Sequence, residues 1–199
     1  PWHALDLPSC ADAASGAGVA EDDAAVRAVL SGLPGDETAI LLGHSRGGTV
    51  ITEAGTHDRV GHLVYLTALL LEKGENPGTR IGLTLANATV KNPDGTWTAD
   101  VAAGADLFYN NCDGSEISWA ASKLRSQTVA VDTMNSVEAW KTTPTTYVVC
   151  NLDKALTPET QRSMAQHANH VVEWETGHSP FLNRPELVAS LLIGLSVSS

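Results

Sequence analysis

A serine, an aspartate and a histidine, in that order, are the residues of this chain best placed to do chemistry. Gly43-His44-Ser45-Arg46-Gly47-Gly48 follows the short apolar run Thr38-Ala39-Ile40-Leu41-Leu42 and precedes a helical pattern. A Gly-x-Ser-x-Gly turn between a strand and a helix pushes the serine hydroxyl out at the top of a sheet, where it can attack a carbonyl carbon. On this reading Gly43 and Gly47 remove side chains that would clash beside a strained serine, and Gly48 gives room for close helix–strand packing. The backbone N–H of Arg46 and the N-terminus of the following helix favour negative charge developing next to Ser45. The pentapeptide alone is a weak pattern, and a Gly-rich turn with a buried or capping serine is the plainer alternative. Partners downstream in the right order favour the chemical reading.

A serine hydroxyl is a poor nucleophile until a base takes its proton, and the base needs a third group to orient it. Asp153 follows Thr145-Thr146-Tyr147-Val148-Val149-Cys150, a β-branched run that reads as a strand. His178 follows Val171-Val172-Glu173-Trp174 and sits in the loop-like Thr176-Gly177-His178-Ser179-Pro180. All three candidates therefore lie just past the carboxyl ends of predicted strands, where open α/β sheets place their ligands. His178 stands out from the other histidines by its Gly-His-Ser-Pro loop after a late strand. His167 and His170 read as surface residues at a strand start. Asp153 could instead be a turn or capping residue, with Asp132 the runner-up carboxylate.

Strands alternating with helices must position these groups. Glu21–Leu30 reads as a helix, with Val26, Val29, Leu30 and Leu33 on one face and Asp22 and Asp23 in its first turn; Pro34-Gly35-Asp36 breaks it. His62–Ala68 reads as a buried strand. Pro158–Ala168 reads as a helix, and Asn183-Arg184-Pro185-Glu186 starts a last one that runs to about Leu195. Ala11–Ala20 is small and Gly-rich and reads as a loop rather than a linker. The middle of the chain is the least regular. There Leu107, Phe108, Tyr109, Trp119 and Trp140 either line an apolar acyl or alcohol pocket or form a small core of their own; His44, which flanks the nucleophile, points its side chain elsewhere and packs or binds locally, as a further candidate pocket residue.

Several segments, in order, resemble the α/β-hydrolase superfamily, and within it the small esterases of the plant methyl-ester esterase and hydroxynitrile lyase type. They are Ala4-Leu5-Asp6-Leu7-Pro8-Ser9, the Gly43–Gly48 turn, Arg59-Val60-Gly61-His62-Leu63-Val64-Tyr65-Leu66-Thr67-Ala68, Leu107-Phe108-Tyr109-Asn110-Asn111-Cys112, Tyr147–Ala155 and Gly177-His178-Ser179-Pro180-Phe181. The resemblance implies a mostly parallel sheet with helices on both faces, a single domain over 1–199, and a cap inserted at about 72–143. It also implies a triad of Ser45, Asp153 and His178. One departure is large: the family's His-Gly loop, whose backbone gives a second oxyanion donor, has no counterpart, since no His-Gly dipeptide occurs here. The opening Ala4–Leu7 resembles the strand after that loop. The expectation is a fold lacking its N-terminal strands, with the strand before Ser45 exposed at an edge and catalysis impaired, since one oxyanion donor is worth ~10²–10³-fold in rate.

Composition sets the remaining bounds. The 199 residues suit one domain, and 43% hydrophobic residues suffice for a core. The 12 basic and 23 acidic residues give a net charge of −11, which argues against nucleic-acid phosphate and anionic lipid as partners. No apolar run approaches the ~20 residues of a membrane span. Cys10, Cys112 and Cys150 show neither a metal pattern nor a disulfide framework, which suits the cytoplasm, and Cys150 reads as a buried thiol. The expected partner is a small-molecule ester, with no metal or organic cofactor. Amide or lactone hydrolysis stays open. So does a ligand-binding module without turnover. Hydroxynitrile lyase chemistry is disfavoured, because Ser179 stands where that branch carries lysine.

Overall fold

The computed structural model describes residues 2–11, 16–81, 88–128 and 134–197. In chain order its strands are β1 (Ala39–His44), β2 (Val60–Leu66), β3 (Thr89–Lys91), β4 (Trp97–Ala99), β5 (Thr145–Cys150) and β6 (His170–Trp174). Its helices are α1 (Pro8–Ala11), α2 (Val19–Ser31), α3 (Gly47–Ala54), α4 (Val101–Phe108), α5 (Gly114–Ala121), α6 (Pro158–Ala165), α7 (Pro180–Asn183) and α8 (Pro185–Ser196). The main sheet has the order β1-β2-β5-β6 with every pair parallel, and β3 and β4 form a separate antiparallel hairpin.

Parallel strands joined by helices are covered on both faces, so they read as apolar runs rather than alternating ones. β5 is buried at every position. Leu63 and Tyr65 of β2, with Tyr147 and Val149 of β5, pack against Ile51 of α3 and Met164 of α6. The intervening Val64, Leu66, Val148 and Cys150 pack against Val188, Leu191, Leu192 and Leu195 of α8. The two buried phenols are satisfied: Tyr65 shares a 2.7 Å hydrogen bond with Thr52, and Tyr147 donates to the Ala68 carbonyl at 2.7 Å. Cys150 lies in this interior, and burial raises its thiol to about 12. Among the described residues no helix is long and apolar enough to cross a membrane.

Three sequence expectations change. Ala4–Leu7 is not a strand; residues 2–7 have no regular structure, and β1 stands at the edge of the described sheet with only β2 beside it. Residues 2–7 form no ladder with that open edge. The loop expected over Ala11–Ala20 is in part a helix end and a helix start. α2 begins at Val19, because Glu21 reaches back to accept from the Gly18 N–H at 2.7 Å; residues 12–15 lie outside the described residues. With the helix starting at Val19, Asp22 lies in its first turn as expected but Asp23 falls beyond it, and Asp22 is wholly buried. It accepts from the Ser9 N–H (2.9 Å) and hydroxyl (2.7 Å), tying α1 to α2. Between β2 and β5, the described residues of the stretch 72–143 add no strand to the main sheet and carry the β3–β4 hairpin, α4 and α5.

The turn from β1 into α3 depends on two close backbone approaches. A Cβ on Gly43 would lie 2.5 Å from the Gly47 carbonyl oxygen, and one on Gly48 would lie 2.3 Å from that of Leu69. At Gly47 a Cβ meets nothing within 4 Å, so the clash expected there from sequence does not exist; Gly48 holds the tight position. Gly48→Ala should therefore cost about 1–3 kcal/mol or more. Gly47→Ala, at the first helical position, should be neutral or stabilising by up to about 1 kcal/mol. Urea unfolding of the two variants checks the contrast; equal midpoints would contradict it.

Candidate functional site

Ser45 sits between the last residue of β1 and the first turn of α3, in the left-handed backbone region at φ +53°. A non-glycine residue there costs roughly 1–3 kcal/mol and persists only where its surroundings hold it. The hold is visible. The Ser45 carbonyl accepts from Gly48 (3.1 Å) and from Leu69 (3.0 Å), and its N–H reaches the Leu66 carbonyl at 3.4 Å. Among the described residues, the Arg46 N–H has no acceptor within the protein.

Asp153 lies in the turn after β5 with its side chain fully buried. One carboxylate oxygen accepts from the Ala155 N–H (2.7 Å) and the Leu156 N–H (3.0 Å). The other accepts from the Thr67 hydroxyl (2.5 Å), the Gln161 amide (3.1 Å) and His178 Nδ1 (2.7 Å). A buried charge of this kind is tolerable only when hydrogen-bonded on all sides. Because Nδ1 donates to Asp153, Nε2 keeps its lone pair free to accept a proton. His178 is itself buried, 3% exposed, in the loop before α7. That loop fits closely: a Cβ on Gly177 would lie 2.7 Å from the Asn110 side-chain oxygen.

Thr67 and Gln161 did not stand out in the sequence. Thr67 is the second non-glycine residue in the left-handed region, at φ +39°, in the turn after β2. Gln161 projects from α6 and also binds both the N–H of Cys150 (2.8 Å) and the Leu156 carbonyl (2.6 Å). A polar residue on the inner face of an amphipathic helix is the only sequence signal for it, and many such residues are caps or solvated.

Two cavities meet at Ser45 and His178. One, of about 370 Å³, is walled by aromatic and aliphatic side chains, among them His44, Phe108, Trp119 and Phe181. The other, of about 340 Å³, runs past Arg46, Trp97, Arg125 and Leu156. Phe108 lines both. Ser45 and His178 share these walls, and no hydrogen bond joins the serine hydroxyl to the ring. Of the residues expected around the site, His44, Phe108 and Trp119 face a cavity. Leu107 does not: it is buried against Ala88, Ala155 and Phe108. Nor does Trp140, which belongs to the main core, donates to the Leu71 carbonyl at 3.1 Å and packs against the tilted His167 ring at 4.5 Å. The runner-up carboxylate, Asp132, lies outside the described residues.

His44 packs against the His178 ring at 4.7 Å and edge-on to Phe181 at 4.9 Å, and its Nε2 donates to the His178 carbonyl at 2.7 Å. Burial pushes its imidazole down to about 3, and the neighbouring His178 adds to the shift. The ring is thus a neutral fixed donor that holds the backbone of His178.

A parallel α/β sheet with a serine at a strand-to-helix turn, and an Asp–His pair at the same carboxyl edge, defines an α/β hydrolase. The sequence model of the Alpha/beta hydrolase family matches residues 1–191, and the chain belongs to that family. Among curated relatives, it is 28% identical to Alpha/beta hydrolase nvfD of Aspergillus novofumigatus, over 95% of this chain and 82% of that protein. It is 26% identical to Methylesterase 17 of Arabidopsis thaliana, over 85% of this chain and 70% of that protein. Its fold is similar to that of polyneuridine aldehyde esterase, with a TM-score of 0.80 at 20% identity, covering 96% of this chain and 86% of the other. It therefore resembles the plant methylesterases within a family of hydrolases.

The half-buried, neutral His44 makes a testable demand. In the unfolded chain it takes up a proton near its ordinary value of 6.5, but in the folded protein only near 3. The unfolded state therefore binds more protons between these limits, and stability falls as pH drops through that window, by up to about 1.4 kcal/mol per pH unit. His44→Gln keeps a donor without titrating. Urea unfolding between pH 4 and 7 should show a shallower acid loss for H44Q than for the parent; parallel curves would refute the neutral assignment.

Proposed function

We propose that this protein is a serine hydrolase of small carboxylic esters, with Ser45 as nucleophile, His178 as general base and then acid, and Asp153 as the group that orients the histidine. The observation that carries the reading is the buried 2.7 Å contact between His178 Nδ1 and Asp153, on a histidine that shares a cavity with the strained Ser45. Methylesterase relatives favour an ester over an amide.

Substrate enters with its carbonyl carbon over the Ser45 oxygen. As that oxygen attacks, its proton passes to His178 Nε2, and the imidazolium is stabilised by Asp153. The carbonyl oxygen becomes an oxyanion beside the Arg46 N–H at the start of α3. Collapse expels the alcohol, which takes the proton from His178, and leaves an acyl-serine. Water then gives its proton to His178 and attacks the acyl carbon, releasing the acid and restoring the serine. The stretch of about 72–143 acts as a cap: α4 brings Phe108 over both cavities, and α5 brings Trp119 to one of them.

Intact-mass analysis after treatment with a fluorophosphonate tests the nucleophile. One adduct is expected on the parent and none on Ser45→Ala; an unlabelled, folded parent would defeat the proposal. Thr67→Val tests the support beneath the base. It removes one of five donors to Asp153, so kcat should fall by roughly ten-fold with KM little changed, and Thr67→Ser should restore it. A KM effect alone would mean that Thr67 does not act through Asp153.

A further inference from the structure

Resting on the esterase reading, we infer that Asn110 is a positioning residue for Asp153 and His178: from the end of α4 it joins the two loops that carry them, so that the cap and the base are held as one unit. The segment Leu107–Cys112 runs from the end of α4 towards α5. Asn110 lines neither cavity, so it is not placed to touch substrate. Its neighbours are instead the residues that flank the acid and the base.

On the acid side, Asn110 Nδ2 donates to the carbonyl of Leu152, one residue before Asp153, at 2.8 Å. Leu107 is buried against Ala155, two residues after it. On the base side, Gly177 precedes His178, and a Cβ there would lie 2.7 Å from Asn110 Oδ1 and 3.0 Å from Asn111 Cβ. The Asn183 amide, at the end of α7, donates to both the backbone carbonyl and the side-chain oxygen of Asn111. The Phe108 ring stands 5.8 Å from the His178 imidazole. The two loops also meet each other, since the Leu152 N–H donates to the Thr176 carbonyl at 2.9 Å. Leu152 thus holds the base loop through its N–H and the cap through its carbonyl, and Asn110 closes that seam. Its Oδ1 is buried with no hydrogen-bond partner among the described residues. A buried acceptor left unpaired is costly and calls for a reason. Here the reason is contact: the amide presses on a position that glycine alone leaves open, and so fixes the backbone from which His178 projects. An imidazole that must meet Asp153 through Nδ1 and the reacting oxygens through Nε2 tolerates little displacement, and a shift of about 1 Å can cost roughly a hundredfold in rate.

Three variants test this. Asn110→Leu keeps the shape of the side chain and loses the amide, Asn110→Ala loses both, and Gly177→Ala pushes on the amide from the other side. Each variant, confirmed folded by urea unfolding, is followed by its kcat and KM on phenyl acetate and by the rate of fluorophosphonate labelling of Ser45 across the pH range. In all three, kcat and the labelling rate should fall by roughly ten- to a hundredfold, with KM within about twofold of the parent. The acid limb should move to lower pH, because an imidazolium less well met by Asp153 loses its proton more readily; the variants leave Asp153 and His44 in place. A purely structural role would lower the amplitude and leave the limb where it was. Asn110→Ala should partly rescue Gly177→Ala, since the smaller side chain makes room for the new methyl group. Parental rates, or an unmoved limb with additive losses, would overturn the inference and leave the esterase reading standing. If the parent itself is not labelled, that reading fails, and NMR titration of the His178 ring, assigned with His178→Gln, decides the inference alone. A lower midpoint in Asn110→Leu upholds it, and an unchanged one overturns it.

Discussion

The Asp153 carboxylate, buried with no exposed side-chain surface, sets the terms for everything around it. A bare carboxylate in such a place would be prohibitively unstable, so donors must converge on it. They come from four separate parts of the chain: the Thr67 hydroxyl after β2, the Ala155 and Leu156 N–H groups of its own turn, Gln161 on α6, and His178 after β6. Satisfying one charge therefore fixes the ends of three strands and the near end of a helix relative to one another. The geometry needed to stabilise the fold at this point is the geometry needed to hold an imidazole in a single tautomer and orientation.

A second constraint acts on the other side of the site. α3 can lie close to β1 and the Leu69 backbone only because Gly43 and Gly48 carry no side chain. That closeness lets Ser45 bond to both Gly48 and Leu69 through its carbonyl, and these bonds offset the cost of its left-handed backbone. Leu69 follows Thr67 by two residues. The loop after β2 thus supports the serine through one residue and the aspartate through another, and a shift of this loop would disturb both at once.

How much of this was legible in the sequence depended on whether the cause was local. The turn at Ser45 and the positions of Asp153 and His178 follow from strand-forming runs that end in Gly-rich or polar loops, and parallel strands bring such ends to one edge. The glycine roles were only half readable: a Gly-x-Ser-x-Gly pattern suggests a clash at Gly47, yet the close neighbour, Leu69, comes from another strand's loop and makes Gly48 the critical position. Trp140 and Leu107 looked like pocket residues because an irregular apolar stretch has no period to say which way a side chain faces. Their burial is decided by Leu71, His167 and Ala155, all distant in sequence. Thr67 and Gln161 were invisible for the same reason. Ala4–Leu7 fails as a strand because a strand needs a neighbour, and pairing is not a property of one segment.

The electrostatic pattern follows a similar logic at larger scale. A net charge of −11 describes the surface as a whole and would repel an anionic ligand at long range at low ionic strength. Inside a cleft the nearest charges dominate, because screening is weaker and the walls are apolar. Asp22 is the telling residue. It is wholly buried, and the Arg46 guanidinium at 3.0 Å, with the Ser9 N–H and hydroxyl, meets it there, so one acid of the excess is neutralised inside the fold. Losing Arg46 would leave that carboxylate buried without its counter-charge, so the pair constrains the start of α3 against α1 and α2 whatever the surface charge is.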